Sequence, residues 1–158
     1  MTHLTTTAGS AWIAAVALSA CSTSNAAISV GYQRYTYTCC EGADFQRPWS
    51  PGETLTLHWV AAPADTTADS SAQRITLTAV LTGPYPTVDA LKAGGSPRVT
   101  VRATPVVTTD RAGANEVSSI VLPIDLADGF YNLADAIEGA GGKASSASVI
   151  HVSHIAGP

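Results

Sequence analysis

"SPGETLTLHW", Ser50 to Trp59, carries the clearest structural pattern in the chain. A Pro-Gly pair opens it, and the residues behind that pair alternate. Leu55, Leu57 and Trp59 fall on one side, and Thr54, Thr56 and His58 on the other. Successive side chains of an extended chain point to opposite faces, so a period of two gives one apolar face and one wet face. The same pattern recurs downstream. Ile75, Leu77, Ala79 and Leu81 alternate with Arg74, Thr76, Thr78 and Val80. Val99 and Val101 alternate with Arg98, Thr100 and Arg102, and Ile120, Leu122 and Ile124 with Ser119 and Val121. The many Thr and Val residues also favour strands.

Turn chemistry separates these runs at Pro51-Gly52, Gly83-Pro84, Gly94-Gly95, Asp128-Gly129 and Gly141-Gly142. The expected strands are 28–38, 54–61, 73–82, 98–108, 117–124, 130–137 and 146–154. "TVDALKAGG" (Thr87 to Gly95) suits one short helical turn, and "NLADAIEGA" reads as helix or strand. Short strands at near-regular spacing suggest an antiparallel sandwich.

Two stretches resemble bacterial immunoglobulin-like domains. "SPGETLTLHW" resembles their second strand, and "LPIDLADGFYNL" (Leu122 to Leu133) resembles their E–F corner and the strand after it. The resemblance implies an all-β fold, an immunoglobulin-like antiparallel β-sandwich of about seven strands. It implies that the Tyr131 hydroxyl bonds back to the corner backbone. It departs from antibody-type members in having no cysteine pair to bridge strands B and F. Such a fold hosts many activities and names none. Its end loops and two solvated faces suit a binding or spacing module.

The 158 residues suit one domain, expected over 28–156. Charged residues make up 13%, against a usual ~25%. The net charge is −4 with no run of Lys or Arg. Nucleic acid is therefore not an expected partner, nor is an anionic membrane surface recognised through basic residues.

Residues 1–20 contain no Asp, Glu, Lys or Arg, and "AWIAAVALSA" (Ala11 to Ala20) is an apolar run. That run is too short to span a bilayer and has the length of a secretion-signal core. It ends in Leu18-Ser19-Ala20-Cys21, which resembles a bacterial lipobox. The resemblance implies cleavage before Cys21 and a lipid on its thiol. Residues 21–27 then form a polar tether, and the protein is extracytoplasmic, anchored to the bacterial cell membrane. Plain secretion with cleavage near Ala26 or Ala27 is a second reading, and a buried cytosolic helix a third.

Cys39 and Cys40 are the remaining thiols. An oxidising compartment leaves them three fates: a bond to each other, a bond to another chain, or a metal site. Both as small buried hydrophobes is a fourth. In a regular strand they would face opposite ways, so a bond between them requires the strand to end there, with Gly42 in the turn. Their Cα separation of ~3.8 Å is shorter than the usual disulfide span of ~4.4–6.8 Å. The expectation is a vicinal disulfide forming a stiff knuckle.

Catalytic and cofactor signatures are missing: no G-x-S-x-G, H-E-x-x-H, S-x-x-K, P-loop or dinucleotide fingerprint occurs. No cofactor and no enzyme activity are expected. The alternative is a metal-binding or redox-active envelope protein using Cys39, Cys40 and a histidine, with His58, His151 and Cys39 as a partial metal site that lacks the Met blue copper usually takes. Asp125, Asp128, Asp135 and Glu138 cluster in sequence but match no EF-hand. Trp49 in "FQRPWSPG" and Tyr85 in "GPYP" are candidate stacking residues for a protein or carbohydrate ligand. The competing reading packs them into the core, and the same holds for Tyr35 and Tyr37, which share a strand face with Cys39.

Overall fold

The computed structural model describes residues 32–41, 43–67 and 71–154. The leader, Cys21, the tether and Gly42 lie outside the described residues. The described residues are all-β apart from one short helix, and their strands form two sheets. The smaller sheet has the order β1-β3-β7, from β1 (Tyr32–Glu41), β3 (Thr54–Thr67) and β7 (Glu116–Val121). The larger has the order β2-β9-β8-β4-β5, from β2 (Pro48–Trp49), β9 (Gly142–Val152), β8 (Gly129–Gly139), β4 (Arg74–Tyr85) and β5 (Val99–Arg102). β6 (Val106–Thr109) also pairs with β4, and this sheet curls into a half-barrel. Every pairing is antiparallel except β2 with β9, where Pro48 and Trp49 run alongside His151 and Val152.

The alternation seen in sequence is the alternation of burial. Leu55, Leu57 and Trp59 of β3 are fully buried, as are Leu77 and Leu81 of β4. They join Tyr131 and Leu133 of β8 and Ile150 and Val152 of β9 in a single apolar cluster. Polar atoms that enter this layer bring partners, because an unpaired buried donor costs about 1–3 kcal/mol. The Trp59 indole donates to Ser118 Oγ at 3.0 Å. The Tyr37 hydroxyl donates to the Thr109 carbonyl at 3.1 Å.

Several strands depart from their expected limits: β1 runs on to Glu41, β3 runs on to Thr67, β7 stops at Val121, β9 starts at Gly142, and the short β2 is not among those expected. The segment expected as one strand over 98–108 is divided into β5 and β6. Val80 faces Arg102 and Leu77 faces Val106, so two β4 positions oppose three on the other side. Pro105 falls in that bulge, where its missing N–H interrupts no ladder bond. Conversely β4 runs through Gly83-Pro84, expected as a break, to Tyr85, with a register shift between Thr82 and Tyr85 and a cis Gly83–Pro84 peptide. The expected helical turn is present as α1 (Val88–Lys92), with the Thr87 hydroxyl accepting from the Ala90 N–H. "NLADAIEGA" is strand.

Gly83 is glycine for a steric reason. A Cβ there would stand 2.5 Å from Cδ1 of Tyr131. Tyr131 has no exposed surface, and its hydroxyl donates to the Ala127 carbonyl at 2.7 Å. This is the corner bond that the resemblance implied. Burial, with a smaller contribution from the Asp128 carboxylate, pushes the phenol up to about 12 from its ordinary 10.0. The folded chain holds this proton more tightly than the unfolded chain. The contribution is therefore complete below pH 10.0 and disappears as pH rises toward about 12.

An alkaline phenolate titration should show a tyrosine ionising near pH 12. Tyr131→Phe should abolish that step and lower stability by about 1–3 kcal/mol, since the Ala127 carbonyl loses its donor. Persistence of the late step in the variant would assign it to another tyrosine. Gly83→Ala should destabilise by about 1–3 kcal/mol through the forced contact with the Tyr131 ring, measurable as a lowered denaturant midpoint.

Candidate functional site

The most unusual local geometry is at the end of β1. Tyr35, Tyr37 and Cys39 alternate toward the interior, as the period of two requires. Cys39 pairs with Trp59 and Glu41 with His58, so Cys40 is an extra residue in the ladder. Its φ is 81°, in the left-handed region, which costs a residue with a Cβ roughly 1–3 kcal/mol. The bulge breaks the alternation and turns both cysteines to the same side. The strand therefore does not have to end at Cys39 for the sulfurs to meet, as the sequence reading required; it extends to Glu41 through the bulge. The two Cα atoms are 3.6 Å apart and the two Sγ atoms are in direct contact. Beyond this point the chain leaves the smaller sheet and joins the larger as β2.

Asp135 faces the cysteines across the interior. It lies mid-strand on β8, paired with Ala79 and Ser146, and is 6% exposed. Its Oδ1 accepts from Ser146 Oγ at 2.7 Å. The two Sγ atoms and a carboxylate oxygen of Asp135 lie within 4.8 Å of one another. The sequence groups Asp135 with Asp125, Asp128 and Glu138. Its position two residues beyond Leu133 and four beyond Tyr131, on the same strand face, is the signal that marks it as inward.

The other acids in that group disperse. Glu138 pairs with Lys143 at 2.5 Å. Asp125 is exposed on the corner. Asp128 accepts from the His154 backbone N–H at 2.9 Å and from His154 Nδ1. No shared calcium cage is built from the four.

The histidine-based metal alternative is corrected. His58 is exposed on the outer face of the smaller sheet, opposite to Leu57 and Trp59. His151 is exposed on the outer face of the larger sheet and stacks on Phe130, ring centroids 4.8 Å apart. Cys39 faces the layer between the sheets. The period of two puts each imidazole on the far side of its own sheet from the sulfur.

The expectation of exposed stacking rings is also not met. Trp49 is 7% exposed, donates from Nε1 to the Asp44 carbonyl at 3.1 Å, and is covered by the Arg47 guanidinium 3.8 Å from its ring. Tyr85 is 8% exposed and its hydroxyl donates to the Gly95 carbonyl at 3.1 Å. It does line a groove of about 430 Å³ with Arg98 and Asp128. A second groove of about 440 Å³ opens at the opposite end of the sheets, among Arg34, Tyr35, Gln73, Asp110, Ile137 and Lys143. There Asp110, 5% exposed, accepts from the Gln73 N–H at 2.7 Å and pairs with Arg34 at 3.4 Å. Among the described residues, no helix is long and apolar enough to cross a membrane. No protein-family model matches this chain, and no curated protein matches it.

The hydrogen bonds from His154, side chain first and backbone second, hold the Asp128 carboxyl below its ordinary 3.8. The ionised form is favoured in the folded chain. The resulting contribution is therefore present above pH 3.8 and is lost as pH falls through the depressed value. Carboxyl-carbon NMR of Asp128 should titrate below 3.8 in the parent and return toward 3.8 in His154→Ala. An unchanged midpoint in the variant would remove His154 as the cause.

Proposed function

We propose that this chain is a non-catalytic, lipid-anchored module of the bacterial cell envelope with an immunoglobulin-like sandwich, acting in binding or spacing outside the cytoplasm. The observation that carries the reading is the order of its sequence features. An apolar run ends in Leu18-Ser19-Ala20-Cys21, a polar tether follows, and a strand-rich domain begins behind it. A lipid on Cys21 is the membrane partner. One acyl chain binds membranes only marginally, and lipobox lipids carry more than one.

The strand order supports the immunoglobulin-like assignment. With the two-residue β2 set aside and β5 and β6 counted as one strand, the first, second and fifth strands share one sheet and the third, sixth and last the other, as in such sandwiches; the fourth lies beside the third, where antibody constant domains place it with the first sheet. The Tyr131 corner bond is a second supporting feature. A vicinal Cys39–Cys40 disulfide completes the reading. It stiffens the point where the first strand changes sheets, and the contact of the sulfurs supports it. The groove beside Arg34, Tyr35 and Lys143 combines apolar walls with a rim of ion pairs, Arg34 with Asp110 and Lys143 with Glu138, and suits a protein or carbohydrate ligand.

Metabolic labelling with a fatty-acid analogue in a bacterial host should mark the parent and leave Cys21→Ala unmarked. An unlabelled parent of uncleaved mass would overturn the anchor. Alkylation of the unreduced protein followed by mass spectrometry should modify neither Cys39 nor Cys40, and both after reduction. Two alkylated thiols without reductant would remove the disulfide and leave the anchor standing.

A further inference from the structure

Asp135 is not accounted for by a binding or spacing role. It projects from the middle of β8 into the apolar layer, on the strand face that carries Tyr131 and Leu133. Its hydrogen bond comes from the Ser146 hydroxyl, and none of the ion pairs among the described residues includes it. A buried carboxylate with a single hydroxyl donor is expensive to keep, and buried charges are normally paired or bound to metal. Directly opposite stand two sulfurs, and the three donor atoms lie within 4.8 Å of one another. Metal–sulfur and metal–oxygen bonds of about 2.3 and 2.0–2.2 Å place tetrahedral donors roughly 3.5–3.8 Å apart. The carboxylate oxygen is thus within reach of an ion held by the sulfurs, and the two sulfurs, in contact while bonded, separate to that spacing once the bond between them is reduced.

We propose that the reduced Cys39–Cys40 pair and Asp135 form a buried site for a thiophilic divalent cation of the Zn²⁺ or Cd²⁺ class, with Ser146 orienting the carboxylate. Starting from the disulfide, a dithiol reductant supplies two electrons and two protons. The Cys39–Cys40 bond breaks, two thiols form, and the reductant closes to its own disulfide. Cation entry then releases both thiol protons to water as two metal–sulfur bonds and one metal–oxygen bond form. Water or the Ser146 hydroxyl takes the fourth position. Two thiolates select such ions over Ca²⁺ or Mg²⁺, which prefer all-oxygen cages. The cation also supplies the positive charge that Asp135 lacks.

The bulge makes chelation by sequence neighbours possible. Without it Cys40 would point to the solvent side of the smaller sheet. Oxidation of the pair closes the site and reduction opens it, so ion binding reports the redox state around the protein. The site depends on neither the lipid anchor nor the state in which the protein is isolated, because the thiols are reduced before it is tested.

The test uses the full chain, reduced with a phosphine and exchanged into anaerobic metal-free buffer. Titration with Cd²⁺ is followed by the ultraviolet thiolate-to-metal charge-transfer band. A single equivalent should bind per reduced chain and none to the oxidised chain. Ser146→Ala, which removes the bond orienting the carboxylate, should keep the band and weaken binding by about 10–100-fold, and Asp135→Asn should keep the band and weaken binding more. X-ray absorption of the loaded parent needs no variant and should show two sulfur neighbours completed by oxygen. The proposal falls if the reduced chain shows no band, or if the oxidised chain binds equally. It also falls if Asp135→Asn binds as the parent does, if reduction unfolds the chain, or if the ion gathers four sulfurs from two chains.

Discussion

Two sheets each bury one alternating face against the other, and that single dry layer constrains everything else in the structure. Leu55, Leu57, Trp59, Leu77, Leu81 and Leu133 fill it without exposed surface. Burying side chains of this size contributes roughly 1.5–3 kcal/mol each, which offsets the ordering of a chain with few charges and many hydroxyls. The same layer sets a condition on any polar atom admitted to it. Trp59, Tyr37 and Tyr131 meet that condition by donating to a hydroxyl or to main-chain carbonyls. Asp135 enters the same layer with one donor, which is why it stands out chemically.

The period of two made most of the strands legible, because a strand between a core and water writes its geometry directly into residue order. It also made the orientation of Tyr35, Tyr37 and Cys39 legible. What alternation does not encode is an irregularity within it. The extra residue at Cys40 and the three-against-two bulge around Pro105 shift register without leaving a hydrophobic signature. Gly83-Pro84 carries turn chemistry, yet it lies inside β4, where the glycine leaves room for the Tyr131 ring.

Aromatic residues show the same limit. Trp49 and Tyr85 sit among prolines, and local composition alone places them in loops. Their burial comes from other elements: β2 lies beside the last strand, and Tyr85 bonds forward, past α1, to Gly95. The metal alternative fell on a comparable point. His58 and His151 are wet-face residues of different sheets, and the acid that does approach the cysteines was disguised by its exposed sequence neighbours. Long-range pairing decides such cases, and a single sequence does not display it.

The parallel pairing of β2 with β9 has a mechanical meaning. β1 enters at the end of the sheets that holds the Arg34 groove, and β9 leaves at the end that holds Asp128. A pull between the chain before Tyr32 and the chain after Val152 therefore runs along the strands. The bonds joining β1 to β3 and β2 to β9 lie across that axis and take the load in shear, as a set rather than one after another. The Cys39–Cys40 bulge, at the end of β1, lies on the path such a load would follow.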